Sequence, residues 1–304
     1  MLYYLCFLTL SKNLSRQVPT CFYIVPQIGR VFRLINRQVC DIKKCSSQKD
    51  RKITSAGIVV IGDEILRGQV QDTNSAFLAT ELHKLGIELK KITVIPDNVN
   101  TICEEVKDFS KKYNYVLTTG GIGPTHDDVT YEGVALAFNE TLHLHPDLKE
   151  ICSHFYKTQD PNGVGMKLAH VPKSSKLNYK TKSGSKLNYP NVSIHNVYMF
   201  PGIPELLKKS MLEAGSVLFK SDKKFFSRHF YCNLPEHEIV TELQQVVNEF
   251  PDVQFGCYPK MFDSFYKAKV TLESCCEEST RKAYARLMEL VPSNSVVNVD
   301  TKDH

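Results

Sequence analysis

The chain has 304 residues, with a hydrophobic fraction of 42% and a charged fraction of 23%, the values of an ordinary soluble protein large enough for two modest domains. No apolar run approaches the roughly 18 residues that a membrane-spanning helix needs, so we expect no membrane segment. The net charge of +5 is uneven: residues 1–52 hold ten Lys and Arg against two Asp, a balance of +8, and residues 53–304 therefore carry −3. A net negative charge on the folded part argues against a nucleic-acid partner.

Residues 1–52 have the composition of a leader sequence. No acidic residue precedes Asp41, and arginine is mixed with apolar and hydroxyl residues, which is the pattern of a mitochondrial transit peptide. Two other interpretations stay open, an unstructured extension and a short secretory segment at residues 1–10, although no basic residue precedes that apolar run. We expect a protein of the mitochondrial matrix or the cytoplasm whose ten cysteines, none in a C-x-x-C pair, are reduced thiols.

From Ile53 onward, strand and helix patterns alternate. Short apolar or alternating runs bounded by glycine or proline predict strands at residues 56–62, 87–95 and 115–119. Apolar residues at helical spacing predict helices at residues 73–85, 99–112 and 128–138. Repeated strand–helix alternation is typical of right-handed βαβ units, so we predict an α/β fold with a parallel sheet.

Residues 173–191 interrupt this alternation. The pentapeptide SKLNY occurs twice, ten residues apart, and the content of Lys, Ser, Asn and Gly predicts an exposed loop or hairpin. A last core strand is predicted at residues 197–200. The segment from Pro201 begins a helix that we expect to end before Gly215.

The remaining segment follows the order strand–helix–strand–strand–helix–strand. Its predicted strands lie near residues 225–233, 252–258, 266–273 and 295–299, and its helices near residues 235–250 and 277–290. This is the order of a split βαβ, ferredoxin-like α+β unit. We therefore divide the chain into a leader at 1–52, a first domain at 53–215 and a second domain at 220–304.

The segment Thr119–Thr130 carries the strongest candidate chemistry. A predicted strand ends in Gly-Gly-x-Gly, which permits close backbone approach and leaves N–H groups free for phosphate oxygens. The next helix adds its positive N-terminal end. Asp127 and Asp128 follow, and carboxylates beside a bound phosphate suit a bridging divalent cation. A tight turn and a helix cap are the alternative interpretations.

A second polar loop, Gly62–Gly68, also follows a predicted buried strand. Ligands bind at the carboxyl ends of the strands in open α/β sheets, so this loop and the glycine-rich segment converge on one edge. Asp72 and Thr73, before the first long helix, have an alternative as N-caps, and Asp63 as a turn former. Convergence of several polar loops predicts a binding site.

Three segments together resemble the signatures of one family. They are GDEILRGQVQDTN at Gly62–Asn74, TTGGIGPTHDDVT at Thr118–Thr130, and FPGIPE at Phe200–Glu205. They resemble the MoaB/MogA (molybdopterin-binding) superfamily in its CinA-like branch, and residues 53–299 are similar to the N-terminal and middle regions of the animal FAD synthase family. The resemblance implies a three-layer MoaB/Mog-type domain followed by a small ferredoxin-like α+β domain.

The resemblance also implies roles for individual residues. Asp128 and Asp72 are implied as metal ligands, and both are catalytic candidates together with Asp127. Substrate and phosphate contacts are implied for Gly120, Gly121, Gly123, Thr125, Gly62, Asp63, Glu64, Asn74, Pro201, Gly202 and Pro204. The implied cofactor is a divalent metal ion, Mg or Co, with K as a further candidate.

The implied activity is metal-dependent pyrophosphate hydrolysis of FAD or a related dinucleotide such as ADP-ribose. His126 is a candidate acid or base, although loop histidines more often have no such role. FMN adenylyl transfer is not expected, because the family assigns it to a C-terminal PAPS-reductase-like domain and we find no counterpart of that domain in this sequence. The alternatives are a non-catalytic flavin- or pterin-binding regulatory module and a molybdopterin adenylyltransferase. We expect a small nucleotide or pterin as partner and a homo-oligomeric assembly.

Overall fold

The first part of the chain is built on a central sheet. The structure, a computed structural model, describes residues 53–298 apart from 159, 162, 164 and 261–264. The strands of this sheet are β1 Ser55–Ile61, β2 Glu88–Ile95, β3 Tyr115–Thr119, β6 Lys176–Lys180, β7 Lys186–Ile194 and β8 Val197–Phe200. Their order is β2-β1-β3-β8-β7-β6; the first four are parallel, whereas β7 and β6 form an antiparallel hairpin at one edge.

Helices cover both faces of this sheet. They are α1 Asp63–Leu66, α2 Asn74–Lys84, α3 Val99–Lys112, α4 Thr130–Ala137, α5 Pro146–Tyr156 and α6 Pro204–Leu218. Alternate residues of β1 belong to different cores: Ile58 and Val60 pack with α2 and α6, and Val59 packs with α3, α4 and α5. Burial on both faces explains why β1 is apolar along most of its length. The predicted three-layer α/β fold with a mainly parallel sheet is confirmed.

Helices α4 and α6 have bounds that differ from the prediction. Helix α4 begins at Thr130, two residues later than expected, because Asp128 closes a turn with Thr125 before the helix starts. Helix α6 continues to Leu218, so the prediction that it ends before Gly215 is wrong. Gly215 is buried, and a Cβ there would lie 2.8 Å from Met211 Sδ. This glycine permits close packing within the helix instead of ending it.

Residues 139–172 contain elements that no sequence pattern predicted. The short strands β4 Leu142–Leu144 and β5 His170–Pro172 pair antiparallel, with α5 and the 3₁₀ turn Met166–Ala169 between them. The β5 strand packs beside α4, and α5 packs beside the 3₁₀ turn. This segment brings Lys167 to the loop that follows β3.

Residues 173–191 lie in a hairpin, one of the two predicted possibilities. Strands β6 and β7 pair antiparallel, with Asn178 opposite Asn191. Asn178 Nδ2 donates to the carbonyl oxygen of Asn191 over 3.0 Å and to Ser193 Oγ over 2.8 Å. Because β7 also pairs with β8, the hairpin extends the central sheet.

The second part of the chain has its own core. Its elements are β9 Phe226–Cys232, α7 Val240–Glu249, β10 Gln254–Pro259, β11 Ala268–Ser274 and α8 Glu277–Leu290. The three strands form an antiparallel sheet in the order β10-β11-β9. Both helices contribute to its core, where Val246 of α7 and Leu287 of α8 are buried with Phe230 and Val270.

A fourth strand, predicted near residues 295–299, is not formed within the described part of the chain. The 3₁₀ turn Ser293–Ser295 lies at its expected start, after Pro292. Val296 then makes one isolated antiparallel bridge with Cys232. The chain thus lies beside β9 without forming a continuous ladder, and residue 299 lies outside the described residues.

The described helices are short compared with the thickness of a bilayer. The longest, α6, has 15 residues, whereas a span needs about 20. Within the described ranges, no helix combines the length and the apolar character needed to cross a membrane. The leader predicted at residues 1–52 falls outside the residues that the structure describes.

Candidate functional site

The three loops selected from the sequence meet at one edge of the central sheet. Strands β1, β3 and β8 are neighbours and run parallel, so the residues that follow them share its carboxyl edge. These residues are Gly62–Glu64, Gly120–Asp128 and Pro201–Gly202. We refer to Gly120–Asp128 as the glycine-rich loop.

Gly120 allows the glycine-rich loop to lie directly on the end of β1. Its φ of 100° is in the left-handed region, and a Cβ there would lie 2.0 Å from the carbonyl oxygen of Ile61. Its N–H donates to the carbonyl of Phe200 over 3.2 Å, and its carbonyl accepts the hydroxyl of Thr130 over 2.9 Å. A side chain at position 120 would therefore displace the loop from the strand ends.

Asn74, the first residue of α2, joins the glycine-rich loop to the loop after β8. Its Nδ2 donates to Thr119 Oγ1 over 3.0 Å and to the carbonyl of Gly202 over 2.7 Å. Thr119 Oγ1 donates to the carbonyl of Pro201 over 3.2 Å, and a Cβ on Gly202 would lie 3.3 Å from Gly120 Cα. The buried side-chain oxygen of Asn74 has no hydrogen-bond partner among the described residues. Asn74 therefore sets the spacing of these loops while one acceptor is left unsatisfied.

Thr125 closes the far end of the glycine-rich loop into a turn. Its N–H donates to Asp128 Oδ2 over 2.8 Å, and its hydroxyl is within hydrogen-bonding distance of the carboxylates of Asp127 and Asp128. Gly123 faces the same group, since a Cβ there would lie 2.5 Å from Asp128 Oδ2. In the described part of the chain, Asp128 Oδ1 has no hydrogen-bond donor. The turn thus presents two adjacent carboxylates.

Asp127 is exposed to solvent and is held in its charged form. The pKa of its carboxyl is lowered by the hydrogen bond from Thr125, then by its own backbone N–H and by the charges of His126 and Lys167. His126 points outward, with 99% of its side chain exposed and Nδ1 at 3.9 Å from Asp127 Oδ1. Asp127 is therefore an anion that is available to a cation.

A second group of carboxylates lies where β2 ends. Asp97 Oδ2 accepts the N–H of Asp63 over 2.8 Å, and the Asp63 carboxylate pairs with Arg67 at 2.6 Å. Burial raises the pKa of Asp97; the hydrogen bond from Asp63 opposes this, and the charges of Glu64, Asp63 and Asp127 raise it further. The sequence candidates do not include Asp97. The sequence feature that could have identified Asp97 is its position directly after a predicted strand, at the same edge of the sheet.

Asp72 is engaged at the start of α2. Its Oδ1 accepts the N–H of Ser75 over 3.0 Å, and its Oδ2 accepts the hydroxyl of the same residue. These are the bonds of a helix-capping residue, the structural alternative for this aspartate. Among the described residues, no hydrogen bond or ion pair joins Asp72 to the glycine-rich loop.

The other candidates lie along the same edge. Gly62 has an extended backbone, and a Cβ there would lie 2.6 Å from Glu64 Oε1. The carbonyl of Gly121, whose φ is 63°, accepts the N–H of Thr130 over 2.9 Å and so ties the loop to α4. Pro204 is the first residue of α6, where a missing N–H has no cost.

Comparison with known families accounts for both parts of the chain. Residues 57–220 match the family described as "Probable molybdopterin binding domain". The chain belongs to this family. Residues 224–300 match "FAD synthase, middle domain". The resemblance inferred from the three sequence motifs is confirmed, and the candidate site lies entirely within the molybdopterin-binding domain.

Two relatives extend the similarity across both domains. The chain is 37% identical to a "Probable FAD synthase" of Caenorhabditis briggsae and 36% identical to one of Caenorhabditis elegans, over 80% of its own length. It spans about half of each, with 50% and 51% covered. A solved structure of the protein CinA with unknown function from Thermoplasma acidophilum is 23% identical, with a TM-score of 0.49, and the match covers 55% of this chain and 99% of that one.

In this molybdopterin-binding domain, Lys167 also reaches the glycine-rich loop. Its Nζ donates to the carbonyl of Thr125 over 2.9 Å and lies 3.5 Å from that of His126. Glu132 Oε1, on α4, lies 3.6 Å from the same Nζ. No sequence pattern indicated this contact, because 42 positions separate Lys167 from Thr125 and its 3₁₀ turn is too short to show a period.

The carboxylates of Asp127 and Asp128 are the candidate cation ligands of this site. Among the residues that the structure describes, no group of three His, Cys, Asp or Glu side chains is arranged to hold a metal ion. Asp127 and Asp128 provide two adjacent carboxylates. Mg²⁺ is usually bound by one or two carboxylates, with water and substrate phosphates completing its shell. The donor set therefore fits a magnesium-like ion that is bound together with phosphate.

Proposed function

We propose that the molybdopterin-binding domain hydrolyses the pyrophosphate of FAD or a related dinucleotide such as ADP-ribose, with a divalent cation as cofactor. The observation that carries this proposal is the turn in which Thr125 holds Asp127 and Asp128 side by side at the end of a glycine-rich loop. A pyrophosphate needs hydrogen-bond donors for its oxygens and a cation to offset its charge. Similarity to FAD synthase supports a flavin dinucleotide as the substrate.

Binding is divided among residues of several loops. Backbone N–H groups of the glycine-rich loop hold phosphate oxygens. Asn74 keeps this loop in register with the one containing Gly202. Asp127 and Asp128 would hold the cation, which would supply positive charge to the pyrophosphate and activate water.

Hydrolysis breaks one P–O bond of the P–O–P bridge. A water oxygen forms the new bond to one phosphorus, and the bridging oxygen leaves with the other phosphate, so FAD yields FMN and AMP. In this proposal Asp97, which follows β2 at the same sheet edge as the glycine-rich loop, accepts the water proton. Burial raises the pKa of this carboxyl, and a higher pKa makes it a stronger base. N–H groups of the glycine-rich loop stabilise the charge that develops on the phosphoryl oxygens.

The direct test is release of FMN from FAD by the purified chain. FMN is measured by its fluorescence with Mg²⁺, Co²⁺ or K⁺ in turn, and ADP-ribose is assayed in parallel by release of AMP. We expect release that depends on a divalent cation and stops when EDTA is added. If neither substrate is hydrolysed with any of these ions, the proposed activity is wrong.

The family match also favours a second candidate, a molybdopterin adenylyltransferase, because its description names molybdopterin. Thermal shifts separate the two, since a ligand that binds only the folded state stabilises it by RT ln(1 + [L]/Kd). Stabilisation by molybdopterin but not by FAD indicates the adenylyltransferase. Stabilisation by FAD without hydrolysis indicates a flavin-binding module.

A further inference from the structure

The 3₁₀ turn Met166–Ala169 has a backbone fixed by its surroundings. Met166 is buried, with 1% of its surface exposed. The carbonyl of Leu168 accepts the hydroxyl of Tyr189, on the sheet strand β7, over 3.1 Å. The backbone of Lys167 is therefore ordered. Less conformational entropy is lost when its side chain extends to the glycine-rich loop than if the backbone also had to be fixed.

The ammonium group of Lys167 contacts the turn that Thr125 closes from the side of the Thr125 carbonyl. It donates to the Thr125 carbonyl, while the N–H and the hydroxyl of the same threonine bond to the carboxylates of Asp127 and Asp128. Only 30% of the lysine side chain is exposed, and Glu132 is its ion-pair partner. One residue thus accepts from the lysine and donates to both carboxylates.

We infer that Lys167 is a positioning residue for the pyrophosphate site. Its ammonium holds the Thr125 carbonyl, so that the N–H and hydroxyl of Thr125 keep Asp127 and Asp128 side by side. Its charge also offsets part of the repulsion between these carboxylates and an incoming phosphate. The inference rests on the proposed function for the identity of the ligand, whereas ordering of the turn is independent of it.

A purely structural role for Lys167 makes a different prediction. A partly exposed pair such as Lys167–Glu132 contributes little to stability and has no reason to affect the glycine-rich loop. The bond to Thr125, in contrast, predicts an effect on the loop itself. Loop order and phosphate affinity therefore discriminate between the two roles better than melting temperature does.

The experiment compares Lys167→Met, which removes the ammonium, with Lys167→Arg, which keeps the charge and hydrogen-bond donors. Lys209→Met, at an exposed lysine of α6, is the matched control. One readout is hydrogen exchange of the backbone amides of residues 120–130. The other is calorimetric binding of inorganic pyrophosphate in the presence of Mg²⁺.

We expect faster loop exchange in Lys167→Met and pyrophosphate binding weakened about tenfold or more, equivalent to ~1.4 kcal/mol. Lys167→Arg should recover most of both, and Lys209→Met should match the wild type. Unchanged exchange and binding in Lys167→Met overturn the inference. Failure of that variant to fold also overturns it, because the contact would then support the core instead of the site.

The outcomes also separate this inference from the proposed function. If the wild-type chain hydrolyses no dinucleotide while the loop loosens in Lys167→Met, the proposed activity is wrong and the positioning role stands. If the wild type is active and Lys167→Met keeps its loop order and pyrophosphate affinity, the activity stands and the positioning role is wrong. Exchange needs no ligand, so it decides the role of Lys167 even where pyrophosphate does not bind.

Discussion

The two aspartates implied as metal ligands use their oxygens differently. Both oxygens of Asp72 accept hydrogen bonds from Ser75, whereas Asp128 receives the N–H and hydroxyl of Thr125 on Oδ2. A carboxylate oxygen already engaged by donors binds a cation less readily than a free one. The geometry therefore favours Asp128, together with the adjacent Asp127, over Asp72.

Replacing Asp128 by asparagine tests this difference. The amide oxygen of the substituted side chain can still accept the N–H of Thr125, so Asp128→Asn should melt near the wild-type temperature. Loss of the charge should lower cation-dependent hydrolysis about a hundredfold, or ~2.7 kcal/mol in the barrier. Asp72→Asn removes the same charge and should retain most activity. Full activity of Asp128→Asn with a lowered melting temperature would show that Asp128 is structural.

Asp97, the proposed general base, is also expected to make the stability of the fold depend on pH. Its folded-state pKa is raised above the ordinary value of 3.8, chiefly by burial. Between these two values the folded chain binds more protons than the unfolded chain, so stability falls as the pH rises through that window. Above this pH window Asp97 is ionised in both states, and the folded state is destabilised by the whole free energy of burying its charge.

Asp97→Asn should remove this cost while its amide oxygen still accepts the N–H of Asp63. At pH 7 the variant should melt at or above the wild-type temperature, and the difference should shrink as the pH is lowered toward about 4. Hydrolysis should fall about a hundredfold, the scale of a lost general base. Thermal melts across this pH range check the first part. A variant that melts lower than the wild type at pH 7 would refute it.

Long elements with a clear period were predictable from the sequence. Helices α3 and α8 span the predicted residues, 99–112 and 277–290. In α3, the side chain of Asn98 caps the first turn and Ile102, Val106 and Phe109 are buried on one face. Strands β4 and β5 have three residues each, which is too few for an alternating pattern to be recognised.

The candidate site likewise contains residues that the sequence could identify and residues that it could not. Gly120, Thr125 and Asp128 belong to one continuous segment whose composition is informative by itself. Asp97 and Lys167 come from separate elements, and their relation to that segment depends on tertiary contacts across the sheet edge. The predicted start of α4 is also wrong, because capping propensity could not anticipate that Asp128 bonds back to Thr125.

Lysines occupy both edges of the central sheet. Strand β2 carries Lys90 and Lys91, and strand β6 carries Lys176 and Lys180. Lys180 lies opposite Lys186 in the hairpin, a like-charge pair that disfavours this local pairing. Charged side chains on edge strands oppose association with other chains. The pattern is therefore better explained by protection from aggregation than by stability of the hairpin.

The double variant Lys176→Val, Lys180→Val should make β6 a more apolar edge. We expect earlier light scattering on heating and a larger aggregated fraction in size-exclusion chromatography. Lys209→Val, outside the sheet, should behave as the wild type. Equal aggregation of the wild type and the double variant would show that these lysines do not protect the edge.

At the scale of the whole molecule, the two parts of the chain meet at the C-terminal end of α2. His83 stacks on Phe225 with ring centroids 4.8 Å apart, and its Nε2 lies 2.8 Å from Glu273 Oε2. The opposite end of the same helix begins with Asn74 at the candidate site. One helix of 11 residues therefore extends from the site to the second domain.

Gly86, two residues beyond the end of α2, packs tightly against the segment that joins the two parts of the chain. Its φ is 75°, and a Cβ there would lie 1.7 Å from the carbonyl oxygen of Lys223. Its own carbonyl accepts the hydroxyl of Ser221 over 2.7 Å. Alanine at this position must adopt a left-handed backbone and also displace the segment that carries Lys223.

Gly184 provides the matched control, because its φ is 84° but nothing lies within 4 Å of the position of its Cβ. Gly184→Ala should show backbone strain alone, about 1 kcal/mol, whereas Gly86→Ala should lose about 3 kcal/mol because the steric clash adds to that strain. At about 2–4 °C per kcal/mol for a chain of this size, calorimetry resolves the two melting temperatures. Equal shifts would mean that the Lys223 segment moves aside at little cost. The contact at the end of α2 would then tolerate a displacement of this segment, and the close approach at Gly86 would contribute little to stability.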